Sequence, residues 1–166
     1  MQPSALTHDD FIAAFGPVYE ASPWVAEGVW PAVAPGELDD PQALAKAMRA
    51  LVEAAPRGQR LALIRAHPQL AVAGRMAEAS VQEQRGAGLD QCSPEELAEF
   101  RRLNAAYLDR FSHPFIVAVK GLSRSDILAA FAARLDNDAE TEFATAMTQI
   151  HRIAGFRLAA LFDREP

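Results

Sequence analysis

Arg65-Ala66-His67-Pro68 places an imidazole immediately before a proline. Proline has no amide donor and disfavours helix at the residue before it, so the chain should leave a helix at His67 with the ring free to turn into a cleft. About a dozen residues later, Ser80-Val81-Gln82-Glu83-Gln84 brings a hydroxyl, a carboxylate and an amide together. A histidine titrates near neutral pH, and a neighbouring carboxylate or amide can orient it or hold a substrate. The chemistry such a set could do is proton transfer to or from a small molecule.

Each residue also has an ordinary reading. A histidine at a helix C-terminus interacts favourably with the last carbonyls and the dipole. Ser80-x-x-Glu83 has the form of a capping box, which would make Ser80 a helix N-cap. Gly86 and Gly88 should then end that helix within about two turns. A helix so short, with Glu83 and Gln84 near its start, offers polar groups and unused N–H donors to an anionic ligand.

The final helical stretch gives a separate clue. Its apolar seam runs through Phe143, Met147, Ile150, Ala154 and Leu161, and Arg157 falls on it. A guanidinium facing a core must pair with a carboxylate or reach a ligand, and both outcomes stay open. Its planar fork suits a carboxylate-bearing small molecule. The other histidines carry less: His113-Pro114 reads as a turn, His8 as a first-turn surface residue, and His151 adjoins the seam residue Ile150. No His-x-x-x-His or His-Glu-x-x-His occurs, and Cys92 stands alone, so no metal site is expected. Gly86-Ala87-Gly88 lacks the strand and the further glycine of a dinucleotide site, and there is no Gly-x-Ser-x-Gly elbow.

The elements that must position these residues are punctuated by caps. Thr7 with Asp10 opens a helix through Phe11 and Phe15, which Gly16-Pro17 ends. Ser22-Pro23 and Asp40-Pro41 read as N-caps followed by a first-turn proline. Leu44, Met48, Leu51 and Val52 follow helical spacing, Pro56-Arg57-Gly58 interrupts, and a short helix through Leu61 and Ile64 should stop at His67-Pro68. Ser93-Pro94-Glu95-Glu96 opens a helix reaching Phe111, Ser123 with Asp126 opens another, and the last runs from about Ala139 to Leu161. Between them, Pro114 to Val119 is the one run that reads as extended. The pattern predicts an all-α, single-domain bundle of about eight helices over residues 1–166, with one short extended segment near 115–119.

Composition agrees. Half the residues are hydrophobic, many of them alanine, and aromatics are few. A chain of 166 residues can bury a core without disulfides or metal. The net charge of −6, with sixteen basic side chains scattered among twenty-two acids, argues against a nucleic-acid partner. There is no apolar run of membrane-spanning length, no signal-like start, and no peroxisomal tripeptide at Arg164-Glu165-Pro166. With a single cysteine, the expectation is a soluble cytoplasmic protein that contacts no membrane.

Taken together, the clusters resemble the 2-oxo-4-hydroxy-4-carboxy-5-ureidoimidazoline (OHCU) decarboxylase family of urate catabolism. The resemblance rests on Phe15-Gly16 with Glu20-Ala21-Ser22-Pro23-Trp24-Val25-Ala26, on His67-Pro68-x-Leu70-Ala71, and on Ser80-x-x-Glu83-Gln84 before Ala87-Gly88-Leu89. It continues through Leu103-Asn104-x-x-Tyr107, Phe111-x-x-Pro114-Phe115-Ile116, Arg134-Leu135-x-Asn137 with Glu142, and Ile153 before Arg157-Leu158. The order and spacing together are specific, and they cover nearly the whole chain. Ser112 departs from the pattern, standing where a glycine is expected.

The resemblance implies a cofactor-free carboxy-lyase that turns OHCU into (S)-allantoin and carbon dioxide, on an all-α bundle that is usually a homodimer. It implies His67 as the central catalytic residue. Pro68, Ser80, Gln84 and the backbone of Phe115, Ile116, Val117, Ala118 and Val119 would line the substrate site, with Arg157 projecting into the same pocket. In chemical terms Glu83 would orient His67 or hold the substrate hydroxyl, Gln84 would bind ureido or ring groups, and Arg157 a substrate oxyanion. Two alternatives remain: a related enzyme acting on another small ureido or carboxylate compound, and a non-catalytic helical binding module.

Overall fold

The computed structural model describes residues 1–72 and 76–163, so the C-terminal tripeptide read above lies outside the described residues. Among the described residues there are eight α-helices, three short 3-10 turns and no strand. The chain divides into two compact units, one formed by residues 1–66 with the C-terminal run from His151, the other by residues 67–150.

In the first unit, α1 (His8–Phe15) opens on Thr7, whose hydroxyl accepts from the Asp10 amide. The helix α2 (Trp24–Val33) is counted from Trp24, one residue later than the Ser22-Pro23 signal places it, although Pro23 already has helical dihedrals. Asp40 caps α3 (Pro41–Ala54) by accepting from the Ala43 amide. The helix α4 (Arg57–Ala66) stops at the residue before His67, as expected where Pro68 disfavours helix at its predecessor. Helix α2 packs on α1 and α3. Its approach to α3 depends on Gly28, where a Cβ would lie 2.2 Å from Leu51 Cδ1.

The second unit begins with α5 (Glu78–Gly86) and corrects one expectation. Ala77, not Ser80, stands at the N-cap, so Ser80 lies inside the first turn. Ser80 and Gln84, four apart and therefore on one helix face, are both buried. Helices α6 (Pro94–Phe111) and α7 (Arg124–Arg134) open on complete capping boxes, Ser93 with Glu96 and Ser123 with Asp126. The last helix, α8 (Ala139–Phe162), gives its residues through Ile150 to this unit and the remainder to the first. A core of Leu70, Leu89, Phe100, Leu103, Tyr107, Phe115, Val119, Ile127 and Phe131 fills the second unit. Residues 114–119 are neither helix nor strand. The extended run near 115–119 is thus an irregular segment without a strand partner among the described residues.

Candidate active site

His67 directly follows the last residue of α4, and its side chain is buried; Pro68 is half-buried beside it. The next three residues are tied down by side chains of two helices. From α5, Gln84 Oε1 accepts from the Ala71 amide at 3.0 Å, and Gln84 Nε2 donates to the Gln69 carbonyl at 3.1 Å. From α6, Asn104 Nδ2 donates to the Leu70 carbonyl at 2.9 Å. Ala71 has a φ of 54°, a left-handed conformation that costs a non-glycine residue roughly 1–2 kcal/mol and persists because its neighbours hold it. Gln69, Leu70 and Ala71 are therefore held from two helices, and Gln84 acts on this stretch through both ends of its amide. Glu83, the next residue round α5, is half-buried.

The far end of α5 is fixed as well. Gly88 turns with a φ of 75°, its carbonyl accepts from Arg124 Nη1 at 3.1 Å, and Arg124 Nε pairs with Glu96 at 2.9 Å. Asn104 escaped the sequence reading as a supporting residue. The signal was nevertheless present, since it stands on the apolar stripe of α6 between Leu103 and Tyr107.

Of the segment expected to line a substrate site, Phe115, Ile116, Ala118 and Val119 are buried and Val117 is half-exposed. A buried irregular backbone needs partners for its polar groups. Arg134 Nη1 donates to the Ile116 carbonyl at 2.6 Å, and Gln149 Oε1 accepts from the Ala118 amide at 3.0 Å. Arg134 is itself held by Glu142, with Nε at 2.6 and 3.0 Å from the two carboxylate oxygens, and its guanidinium lies 4.3 Å from the Phe115 ring centre. Burial, with the Glu142 charge next, pushes the nearby Tyr107 phenol above its usual range. Sequence reasoning assigned no role to Arg134, Glu142 or Gln149. A carboxylate at Glu142, beside Phe143 on the seam of α8, is the same kind of signal that marked Arg157.

Arg157 belongs to the first unit, and there it is paired. Its Nη1 lies 2.9 Å from Glu20 Oε2 and 3.2 Å from the Pro17 carbonyl, with side chains only 9% and 6% exposed for Arg157 and Glu20. The buried ion pair, one of the two outcomes the seam position left open, is present. Beside it, the Tyr19 hydroxyl lies 2.9 Å from His151 Nδ1. Burial, reinforced by the Arg49 charge, pushes His151 down to about 4, so the ring is neutral at physiological pH and its Nδ1 accepts from the phenol.

The remaining histidines are structural. His8 is exposed between Asp9 and Glu27, which hold its pKa above the ordinary value. His113 lies in the bend after α6 and is buried, with Nδ1 3.0 Å from the Pro114 carbonyl and its ring against Tyr107 and Phe111. Among the described residues no three His, Cys, Asp or Glu side chains converge as a metal set, and no helix is long and apolar enough to cross a membrane.

The order of these residues along the chain can now be compared with known proteins. A family model described as OHCU decarboxylase matches residues 4–159. The chain belongs to the OHCU decarboxylase family. It is 42% identical over 164 residues to the 2-oxo-4-hydroxy-4-carboxy-5-ureidoimidazoline decarboxylase of Haloferax volcanii, covering 99% of this chain and 96% of that protein. It is 44% identical over 150 residues to the uric acid degradation bifunctional protein PucL of Bacillus subtilis, covering 90% of this chain and 30% of that longer one. Among solved structures, that of an (S)-allantoin synthase superposes with a TM-score of 0.78 at 31% identity, covering 95% of this chain and 52% of the other. The family match runs through both units of this OHCU decarboxylase family member and includes every candidate residue above.

Proposed function

We propose that this protein catalyses the cofactor-independent decarboxylation of OHCU to (S)-allantoin and carbon dioxide, with His67 as its proton carrier. When the carboxyl group leaves, the electron pair of the broken C–C bond stays on the ring carbon and spreads into the adjacent carbonyl and imine system. The work left to the protein is to stabilise that charge and deliver one proton to one face. His67 carries the proton, Glu83 orients the imidazole or holds the substrate hydroxyl, and Arg157 neutralises a substrate oxyanion. Pro68, Ser80, Gln84 and the backbone from Phe115 to Val119 line the site. Residues 1–166 form a single OHCU decarboxylase-like domain, and the protein is a cytoplasmic homodimer.

The observation that carries this reading is the bracing of residues 69–71, just after His67. Gln69, Leu70 and Ala71 are each hydrogen-bonded to a side chain on α5 or α6. Holding a catalytic group in place before the reaction removes reorganisation from the barrier, and a displacement of about 1 Å can lower the rate roughly a hundredfold. A helix C-cap alone would need no such bracing.

The test generates OHCU in situ from urate with the two preceding enzymes and follows circular dichroism. Rapid formation of optically active allantoin is expected from the wild type. The His67→Ala variant, folded by far-ultraviolet dichroism, should lose at least about a hundredfold in kcat, in the range of a lost general acid–base group. A wild type that leaves the uncatalysed rate unchanged sinks the assignment, and a fully active His67→Ala variant removes the role of His67.

A further inference from the structure

We infer that Arg134 and Gln149 are positioning residues that fix the peptide groups on either side of Val117 toward the substrate. This rests on the proposed placement of residues 115–119 in the substrate site. The segment has no helix or strand to set the direction of its backbone dipoles. Two side chains from separate helices do so instead, and they grip opposite polarities. Arg134, at the end of α7, donates to the Ile116 carbonyl at 2.6 Å, while Gln149, on α8, accepts from the Ala118 amide at 3.0 Å. Val117 lies between the two grips and is half-exposed, whereas Ile116 and Ala118 are only 3% and 2% exposed.

The donor side is built at some expense in stability. Glu142 is 0% exposed, and both of its oxygens lie within 3.0 Å of Arg134 Nε. The guanidinium is also stacked on Phe115, whose ring lies parallel to Phe131 at 3.9 Å. A pair of apolar side chains of similar volume would generally stabilise such a site as well or better. What an apolar pair cannot do is hold the Ile116 carbonyl in one direction. The planar fork of an arginine fixes a carboxylate and a carbonyl at once in set directions, whereas a lysine's freely rotating ammonium lacks that fixed geometry.

Gln149 gives the cleaner test, because its half-buried side chain can change without stranding a buried charge. In Gln149→Leu the acceptor for the Ala118 amide is lost. On protein folded at a temperature well below its Tm, KM for OHCU should rise about tenfold with kcat within about threefold, the pattern of lost binding common to ground and transition states. In Gln149→Glu an acceptor remains, and KM should return to within about threefold of wild type. Arg134→Lys, which keeps the charge opposite Glu142 but not the fork, should raise KM in the same way where it folds. A purely structural role would lower Tm and leave both constants of the folded protein unchanged. The proposal is overturned if Gln149→Leu keeps wild-type KM, or if Gln149→Glu is no better than Gln149→Leu. A wild type without OHCU turnover removes the substrate reading and this inference with it, whereas an active wild type with an unaffected Gln149→Leu removes this inference alone.

Discussion

Replacing Glu20 by alanine would leave the Arg157 guanidinium buried without the carboxylate 2.9 Å from its Nη1. With only 9% of the arginine side chain exposed, water cannot replace that partner fully. Removing one member of a buried ion pair costs about 3–5 kcal/mol. For a chain of this length each kcal/mol lowers Tm by roughly 2–4 °C. The expected fall for Glu20→Ala is therefore about 6–20 °C, read by thermal unfolding at 222 nm. The double variant Glu20→Leu with Arg157→Met removes both charges and fills similar volume, so its Tm should return to within a few degrees of wild type.

That double variant also separates the two meanings of Arg157. If the guanidinium holds a substrate oxyanion, the stable double variant should lose about a hundredfold or more in kcat/KM for OHCU, equivalent to about 2.7 kcal/mol of transition-state stabilisation. If kcat/KM stays within about threefold of wild type, Arg157 is a structural partner of Glu20 and has no part in the reaction. A Glu20→Ala protein within about 1 kcal/mol of wild type would refute the energetic argument itself.

Two further outcomes are expected. Above pH 6.5 His151 is neutral both folded and unfolded; as pH falls from 6.5 toward about 4, the unfolded chain binds a proton that the folded protein refuses, so stability declines. The decline is at most about 3 kcal/mol, less with solvent screening. His151→Gln should accordingly lose less Tm than wild type between pH 7 and pH 4.5, and equal losses would contradict the assignment. Ser112 ends α6 with a φ of 59°, which accounts for the glycine expected there. Ser112→Gly should raise stability by about 1 kcal/mol in a denaturant titration with kcat/KM unchanged, and a lower midpoint would show that the serine side chain contributes more than the backbone strain removes.

What the sequence determined by itself is local. Thr7, Asp40, Ser93 with Glu96, and Ser123 with Asp126 cap helices at the expected places because the donor and the acceptor lie three residues apart. His67 ends up just beyond α4, where Pro68 disfavours helix at the residue before it. The order of short motifs along the chain was enough to mark the family. Arg157 could be singled out because a polar group on an apolar stripe needs an explanation wherever it occurs, and the Ser80–Gln84 cluster because a short helix brings a hydroxyl, a carboxylate and an amide together.

Tertiary structure supplied the partners. Glu20 is 137 residues from Arg157, and no local pattern chooses it among the other acids of the chain. Ser80 reads as a cap from its own neighbours, yet it lies in the first turn of α5 and is buried on the face it shares with Gln84. Residues 114–119 look like a strand by side-chain type but have no strand partner among the described residues, so Arg134 and Gln149 satisfy backbone groups that a sheet would have paired. Helix ends are set by bonds spanning three or four residues and can be read from a line of text. Buried charges and irregular backbone are satisfied by whatever the fold brings within about 3 Å, and only the folded chain supplies that.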